Sequence, residues 1–455
     1  MWIALPILLF MLNTRGGRLG GFLVYTYLVS LIMSHWFGAL VHASPWSDFH
    51  TSADTVLGFR YSTYGIVAAA AGTLLTDFLV PSLRPAEAIP RNAAQREFEL
   101  RQCERLALRA FIPIGIASWM LTFTAAANLP SAGAILSVGK QCLILGICLL
   151  CWASWFRGRK LRFYVVLALT ALLPVATVVT SGFIGYGIIM VTMVLAFISA
   201  FYRPRWHILA GLALVLYGGV SLWVTYADFR KEVRASVWVE QDSLGGLKKI
   251  ANVLEAFQFF DISNVHHLEN IDARMNQNYL VGVAVRTTPS LVPFREGETI
   301  YEAVFAMIPR AIWPDKPVVA GSGDIVSRHT MIDFAEGTSV GAGQVFEFYV
   351  NFGLWGILVG FVALGALLRY LDIKLAASLL SYDILGVMTI FLVGSGLLQA
   401  GGSLSEVAAS TAAGWVGSLA LRRALRKNRS AQAATARHPA ARPYYSTHPT
   451  SRKKQ

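Results

Sequence analysis

Residues 133–155 read GAILSVGKQCLILGICLLCWASW. The run holds one charge, Lys140, and at a rise of about 1.5 Å per residue it crosses a hydrocarbon core of about 30 Å. Similar apolar blocks occupy 1–13, 19–42, 61–80, 111–127, 163–180, 183–202, 207–226, 346–368, 383–400 and 404–421, the first of them short. Of the 455 residues, 55% are hydrophobic and only 14% charged, against about 25% charged in soluble domains. A transmembrane β-barrel would instead show segments of about ten residues with alternating polarity, and the sequence has none. The expected fold is an all-α polytopic membrane protein with about 11 transmembrane helices.

Charge sets the expected orientation. Arg15 and Arg18, the arginines of 84–109, those of 157–162, Arg203 and Arg205, then Arg369 and Lys374, and finally the tail fall in alternate loops. The intervening short loops are nearly uncharged apart from 43–60. The positive-inside rule makes the first set cytoplasmic, so the C-terminus lies inside and the segment 227–344 outside. The chain then divides into an N-terminal bundle (1–226), a large extracytoplasmic loop (227–344), C-terminal transmembrane helices (345–421) and a tail (422–455). Much of the net charge of +13 comes from the tail, with ten Lys or Arg and no acid. It reads as a disordered basic arm near anionic headgroups rather than a nucleic-acid binding region. In 81–110, Glu97, Glu99 and Glu104 alternate with arginines at helical spacing, as in a solvated interfacial helix. A cleaved signal is not expected, because Arg15 and Arg18 follow the first apolar run instead of preceding it. Cys103, Cys142, Cys148 and Cys151 read as small packing residues and not as a disulfide framework.

The segment 227–344 is the only long polar stretch, and such loops are usually functional. Apolar residues at three- and four-residue steps predict amphipathic helices over 247–260 and 300–308. The prolines of Pro309–Pro317 (PRAIWPDKP) then form a stiff non-helical strap holding Arg310, Trp313 and Lys316. Gly321, Gly323, Gly341 and Gly343 allow tight turns. Basic residues are balanced by acids, so Arg230, Lys248 and Arg295 read as ion-paired surface charges. Arg310 and Arg274, with Lys316, Arg286 and Arg328 in support, are the candidates for an anionic ligand, since planar guanidinium groups suit bidentate capture of phosphate oxygens. Glu347 stands where the loop enters an apolar span, a costly position unless the carboxylate is paired or faces a wet cavity. It reads either as a proton-transfer group or as a structural salt bridge at the helix end.

Other constellations are weaker. His266, His267 and His329 lack metal-ligand spacing and read as surface residues. Asp48, His50 and Asp54 form no motif. There is no Asp-x-Asp, Walker loop or GxGxxG, so a metal-dependent nucleotide-sugar enzyme is disfavoured. Charges inside the spans are sparse, with Lys140 near an outer end and Asp383 near an inner one, fewer than an ion-coupled transporter usually carries.

The strap IPRAIWPDKP, followed by GAGQVFEFYVNFGLWGILVGFVALGALLR from Gly341, resembles the bacterial oligosaccharide repeat-unit polymerases, the Wzy-like O-antigen and exopolysaccharide polymerases. The likeness covers about residues 270–370. It implies a GT-C-like, metal-independent membrane glycosyltransferase in the bacterial inner membrane that needs no cofactor. Such enzymes act on the periplasmic face and move a glycan from undecaprenyl diphosphate onto another carrier-linked repeat unit. Glu347, Arg310 and Arg274 would then be catalytic. Lys316, Arg286, Arg328, Trp313, Tyr349 and Asn351 would bind substrate. The implied partners are the undecaprenyl-diphosphate-linked oligosaccharide, membrane lipid, a chain-length regulator and a flippase. An O-antigen ligase, or a transporter or flippase of lipid-linked sugars, remains an alternative.

Overall fold

An apolar run in hydrocarbon must satisfy its backbone N–H and C=O groups internally, which favours helix. The computed structural model describes residues 1–13, 19–47, 52–80, 92–124, 132–181, 184–202, 217–229, 255–309, 312–313, 315–316, 322–335, 338 and 340–437, and no strand occurs among them. In chain order the helices are α1 (Ala4–Asn13), α2 (Phe22–Ala43, with a π turn at Ile32–Trp36), α3 (Ser52–Leu79), α4 (Ala93–Leu106) and α5 (Ile112–Leu121). Then come α6 (Ala132–Phe156), α7 (Lys160–Leu169), α8 (Leu173–Ser181), α9 (Ile184–Ser199) and α10 (217–229). The later ones are α11 (Val265–Met275), α12 (Asn278–Thr287), α13 (Glu298–Ala306), α14 (Ser322–Thr330), α15 (Gly343–Leu380), α16 (Ile384–Gly396) and α17 (Leu404–Arg437). Five stretches among the described residues are long and apolar enough to cross a membrane: Phe22–Ala43, Ser52–Leu79, Ala132–Phe156, Lys160–Val178 and Gly343–Leu380. Several apolar helices are shorter, Ala4–Asn13 and Ile384–Gly396 among them. The protein is an all-helical membrane protein.

The spine is α3. Its second half packs on α15 through small residues: a Cβ on Gly72 would strike the carbonyl of Val362, and one on Gly365 would strike that of Ala69. Its first half packs the same way on α12, where Gly58 faces the Asn278 carbonyl and Gly282 faces that of Asp54. Close backbone approach of this kind is how helices associate where the hydrophobic effect does not drive them together. A buried polar knot pins the α12 start. Asn278 Oδ1 receives His35 Nδ1 at 2.8 Å and Ser62 Oγ at 3.0 Å, and its Nδ2 donates to the His35 carbonyl at 2.6 Å. The start of α12 is therefore locked against α2 and α3.

The glycine contacts carry a paired prediction. Gly133 has open space where a Cβ would go, so Gly133→Ala should raise the thermal midpoint slightly, by less than the mid-helix gain of about 0.5–1 kcal/mol because it stands in the first turn of α6. Gly282→Ala should lower it, since overpacking costs about 1–3 kcal/mol. Thermal unfolding of the two purified variants would show opposite shifts; equal shifts would contradict the packing.

Four expectations change. The block expected to end at 368 continues as helix to Leu380, so Arg369 is fully buried instead of lying in a loop. Its Nε meets Asp77 at 2.6 Å, while Asp372 accepts the backbone N–H groups of Leu23 and Val24 at the start of α2. Charge inside the helices is thus not sparse. His329 is fully buried and His267 is 4% exposed, so neither is a surface residue, whereas His266 is exposed. Of the amphipathic helix expected over 247–260, residues 247–254 lie outside the described residues and 257–260 are not helical. The interfacial helix expected within 81–110 forms as α4, with Arg101 and Glu97 paired at 2.8 Å one turn apart. The four cysteines are free and buried.

Candidate functional site

The resemblance motif coincides with a broken helix. α15 stops at Asn351 and restarts at Leu354, because Phe352 (φ −141°, ψ 21°) and Gly353 (φ 60°, ψ −145°) leave helical geometry. The Gly353 conformation is essentially open only to glycine. Backbone groups freed at a break need other partners, and the segment before α13 supplies them. Arg295 N–H donates to the Val350 carbonyl at 2.9 Å, and Gly297 N–H donates to Asn351 Oδ1 at 3.0 Å. Asn351 Nδ2 donates to Thr299 Oγ1 at 2.6 Å and to the Glu347 carbonyl at 2.7 Å.

Glu347 lies one turn before Asn351 and is 3% exposed. Its carboxylate accepts the Leu404 N–H at 2.9 Å, at the first turn of α17, and is hydrogen-bonded by the Thr299 side chain. The positive end of a helix is a favourable place for such a charge. Ser403 and Glu406 complete that terminus as a reciprocal cap, each side chain accepting the other's N–H at 3.2 Å. Glu347 therefore joins α15, α13 and α17.

A second carboxylate stands beside it. Glu302 Oε1 faces Arg295 at 3.4 Å, Arg295 also meets Glu298 at 2.8 Å, and Glu302 Oε2 is buried with no hydrogen-bond partner among the described residues. Burial holds the Glu302 carboxyl above the ordinary glutamate range; Arg295 opposes this and Glu298 adds to it. The helix that carries it is inside out. Thr299, Glu302 and Ala303 face inward, whereas Tyr301 and Val304 are 64% and 57% exposed. In a soluble helix the stripe would be reversed.

His329 of α14 lies nearby. Its Nδ1 shares a hydrogen bond with Thr288 Oγ1 at 2.9 Å, its ring stands edge-on to Phe346, and its Nε2 has no partner. Burial, with the cations of Arg295 and Arg328, lowers its pKa from 6.5 to about 4. The unfolded imidazole thus takes up its proton near pH 6.5 and the folded one only near pH 4, so stability falls as pH drops through that window. Unfolding measured across it should show this loss in the native protein and a smaller one in His329→Gln.

The other sequence candidates divide by position. Tyr349 is buried and donates its hydroxyl to the Thr288 carbonyl at 2.9 Å, packing on Tyr61 and Phe294, so it braces the break. Arg286 is exposed and pairs with Asp54 at 3.1 Å. Arg328 is exposed and makes no ion pair among the described residues. Lys316 donates to the carbonyls of Ala306 and Ile308, closing the end of α13, and Trp313 packs on Phe305. Arg274 stands elsewhere, at a cavity of about 260 Å³ shared with Ser34, Ile188 and Trp223, where burial lowers its pKa. Arg310 lies outside the described residues. Among the described residues no cluster of His, Cys, Asp and Glu could hold a metal ion. Sequence reasoning missed Arg295, Glu302 and His329. The available signal was the Thr299–Glu302 pair on a helix with exposed-type spacing of apolar residues.

A family described as "Domain of unknown function (DUF8712)" matches residues 95–429. The chain belongs to this family. The DUF8712 region includes the broken helix, α13, α14 and the first turn of α17, and so contains every carboxylate of the site. No curated protein and no solved structure matches the chain.

Proposed function

We propose that this protein is a membrane glycosyltransferase that polymerises undecaprenyl-diphosphate-linked repeat units on the extracytoplasmic face of the inner membrane. In this reading the shorter apolar helices complete a GT-C-like bundle of about 11 spans, and 227–344 faces outward with the C-terminus inside. The observation that carries the reading is α13, which turns a carboxylate inward and apolar side chains outward beside the helix break. A substrate that is half hydrocarbon and half sugar fits such a surface.

The chemistry follows from the positions. A general base must reach the proton it takes, and Glu347 is enclosed, with its carboxylate already bonded to Leu404 N–H and Thr299. Glu302, whose side chain is 19% exposed against 3% for Glu347, is the better proton acceptor, and Glu347 is the positioning residue that holds α13 against α17. The acceptor hydroxyl loses its proton to Glu302 as its oxygen bonds to the anomeric carbon. The bond from that carbon to the diphosphate breaks, and the diphosphate leaves with the electron pair. Arg286 and Arg328, both exposed, are the described cations available to meet the charge developing on it.

A second reading has its own support. Broken helices and buried charges are features of transporters, and the Gly353 break and the Arg369 cluster supply both, which favours a flippase of lipid-linked sugars. Deletion of the gene separates the two. Single repeat units on the acceptor are expected for a polymerase. Carrier-linked units trapped on the cytoplasmic face would overturn the polymerase reading in favour of a flippase, and long carrier-linked polymer would indicate a ligase.

A further inference from the structure

An arginine groove, none of whose residues belongs to the candidate site, is not used by the proposed reaction. It is about 600 Å³ in volume and is lined by Arg101, Arg105 and Arg109 from α4 and the turn after it, and by Arg157 and Arg159 between α6 and α7. Glu104 organises it. This carboxylate, 13% exposed, pairs with Arg157, Arg159 and Arg162 together, and Glu97 pairs with Arg101 and Arg157. Six arginines against two glutamates leave a surplus of four positive charges. Arg105 and Arg109 are exposed and make no ion pair among the described residues. Like charges held this close repel, and a groove built to hold them suits an anion.

Position identifies the anion. The turn 157–159 joins two stretches long and apolar enough to span, Ala132–Phe156 and Lys160–Val178, so it lies at a membrane face. Exposed apolar side chains stand next to the groove arginines: Leu108 is part of its wall and exposed, and Leu161, the second residue of α7, is 80% exposed. An occupant needs phosphate at one end and acyl chain at the other. We infer that this groove binds the headgroup of an anionic phospholipid, with phosphate oxygens on Arg105, Arg109 and Arg159 and an acyl chain along Leu108 and Leu161. Basic pockets at helix ends on a membrane face take such headgroups.

The test uses the full chain purified in detergent, titrated with cardiolipin, phosphatidylcholine or free pyrophosphate, and read by native mass spectrometry and thermal unfolding. Cardiolipin should bind and raise the midpoint where phosphatidylcholine does not. The Arg105→Ala/Arg109→Ala variant should bind it about 30-fold more weakly. Those residues pair with no acid, so the variant should fold. Arg101→Ala, whose partner Glu97 keeps Arg157, provides an independent second variant with a smaller loss. Equal cardiolipin affinity in native protein and variants would overturn the inference. So would pyrophosphate binding as tightly as the lipid, which would make the groove a soluble-anion site. Capture of an acidic peptide in preference to cardiolipin would likewise overturn it.

Discussion

Glu302→Gln is expected to abolish chain extension while leaving the protein folded and at normal abundance. The amide keeps the volume of the side chain and an oxygen for Arg295, now 3.4 Å from the carboxylate, but it cannot take a proton from the acceptor. General-base contributions of about 10²–10⁴-fold set the size of the loss. Glu302→Asp should restore part of the rate, because the base returns at a shorter reach. Glu347→Gln should also abolish polymer, by a different route. Its side chain bonds to Leu404 N–H and Thr299, so the loss of its charge loosens the first turn of α17 and the thermal midpoint falls with the activity. Repeat-unit ladders from cells carrying each variant, read beside unfolding curves, distinguish the two roles. Long chains with Glu302→Gln would remove Glu302 as the base.

Arg369→Leu should be the most damaging substitution for stability. Arg369 is fully buried, it meets Asp77 at 2.6 Å, and its two terminal nitrogens have no hydrogen-bond partner among the described residues. Breaking a buried pair from one side costs about 3–5 kcal/mol because the remaining charge is uncompensated. Here two carboxylates would remain, Asp77 and the fully enclosed Asp372, which also caps α2 through Leu23 and Val24. The variant should fail to accumulate, and Arg369→Leu combined with Asp77→Leu should recover part of the lost protein. Normal accumulation of the single variant, measured by fluorescence-detected size exclusion, would show that the cluster is not needed to hold α2, α3 and α15 together.

The helices were legible because hydrocarbon leaves little choice: Gly133–Trp155 holds a single charge, Lys140, in an otherwise mostly apolar run, and α6 forms over nearly the same residues. Arg369 misled for a physical reason. A cation at the end of an apolar block usually marks a loop, but 369–380 contains no glycine or proline to stop the helix, which ends only near Tyr382 at φ 57°. α12 was hidden for another reason. Its ten residues are too few to read as a span, and what holds it is the contact of Gly58 with Asn278 and of Gly282 with Asp54, partners far apart in sequence. In the candidate site, Glu347 stood out as an acid at an apolar boundary. Glu302 did not, because its helix was read as amphipathic and lying on the membrane surface, which leaves its polar residues to water, while the structure turns Thr299 and Glu302 inward. Tyr349 and Asn351 were legible as members of the motif, but their bracing of the Gly353 break was not.

Glycan polymerisation is tested with purified protein reconstituted with undecaprenyl-diphosphate-linked repeat units as the sole substrate. Products separated by gel or mass spectrometry should form a ladder of carrier-linked chains rising in single repeat units, with free undecaprenyl diphosphate released at each step and no ladder from Glu302→Gln. Unaltered repeat units after incubation, with native protein that is folded and correctly inserted, would contradict it.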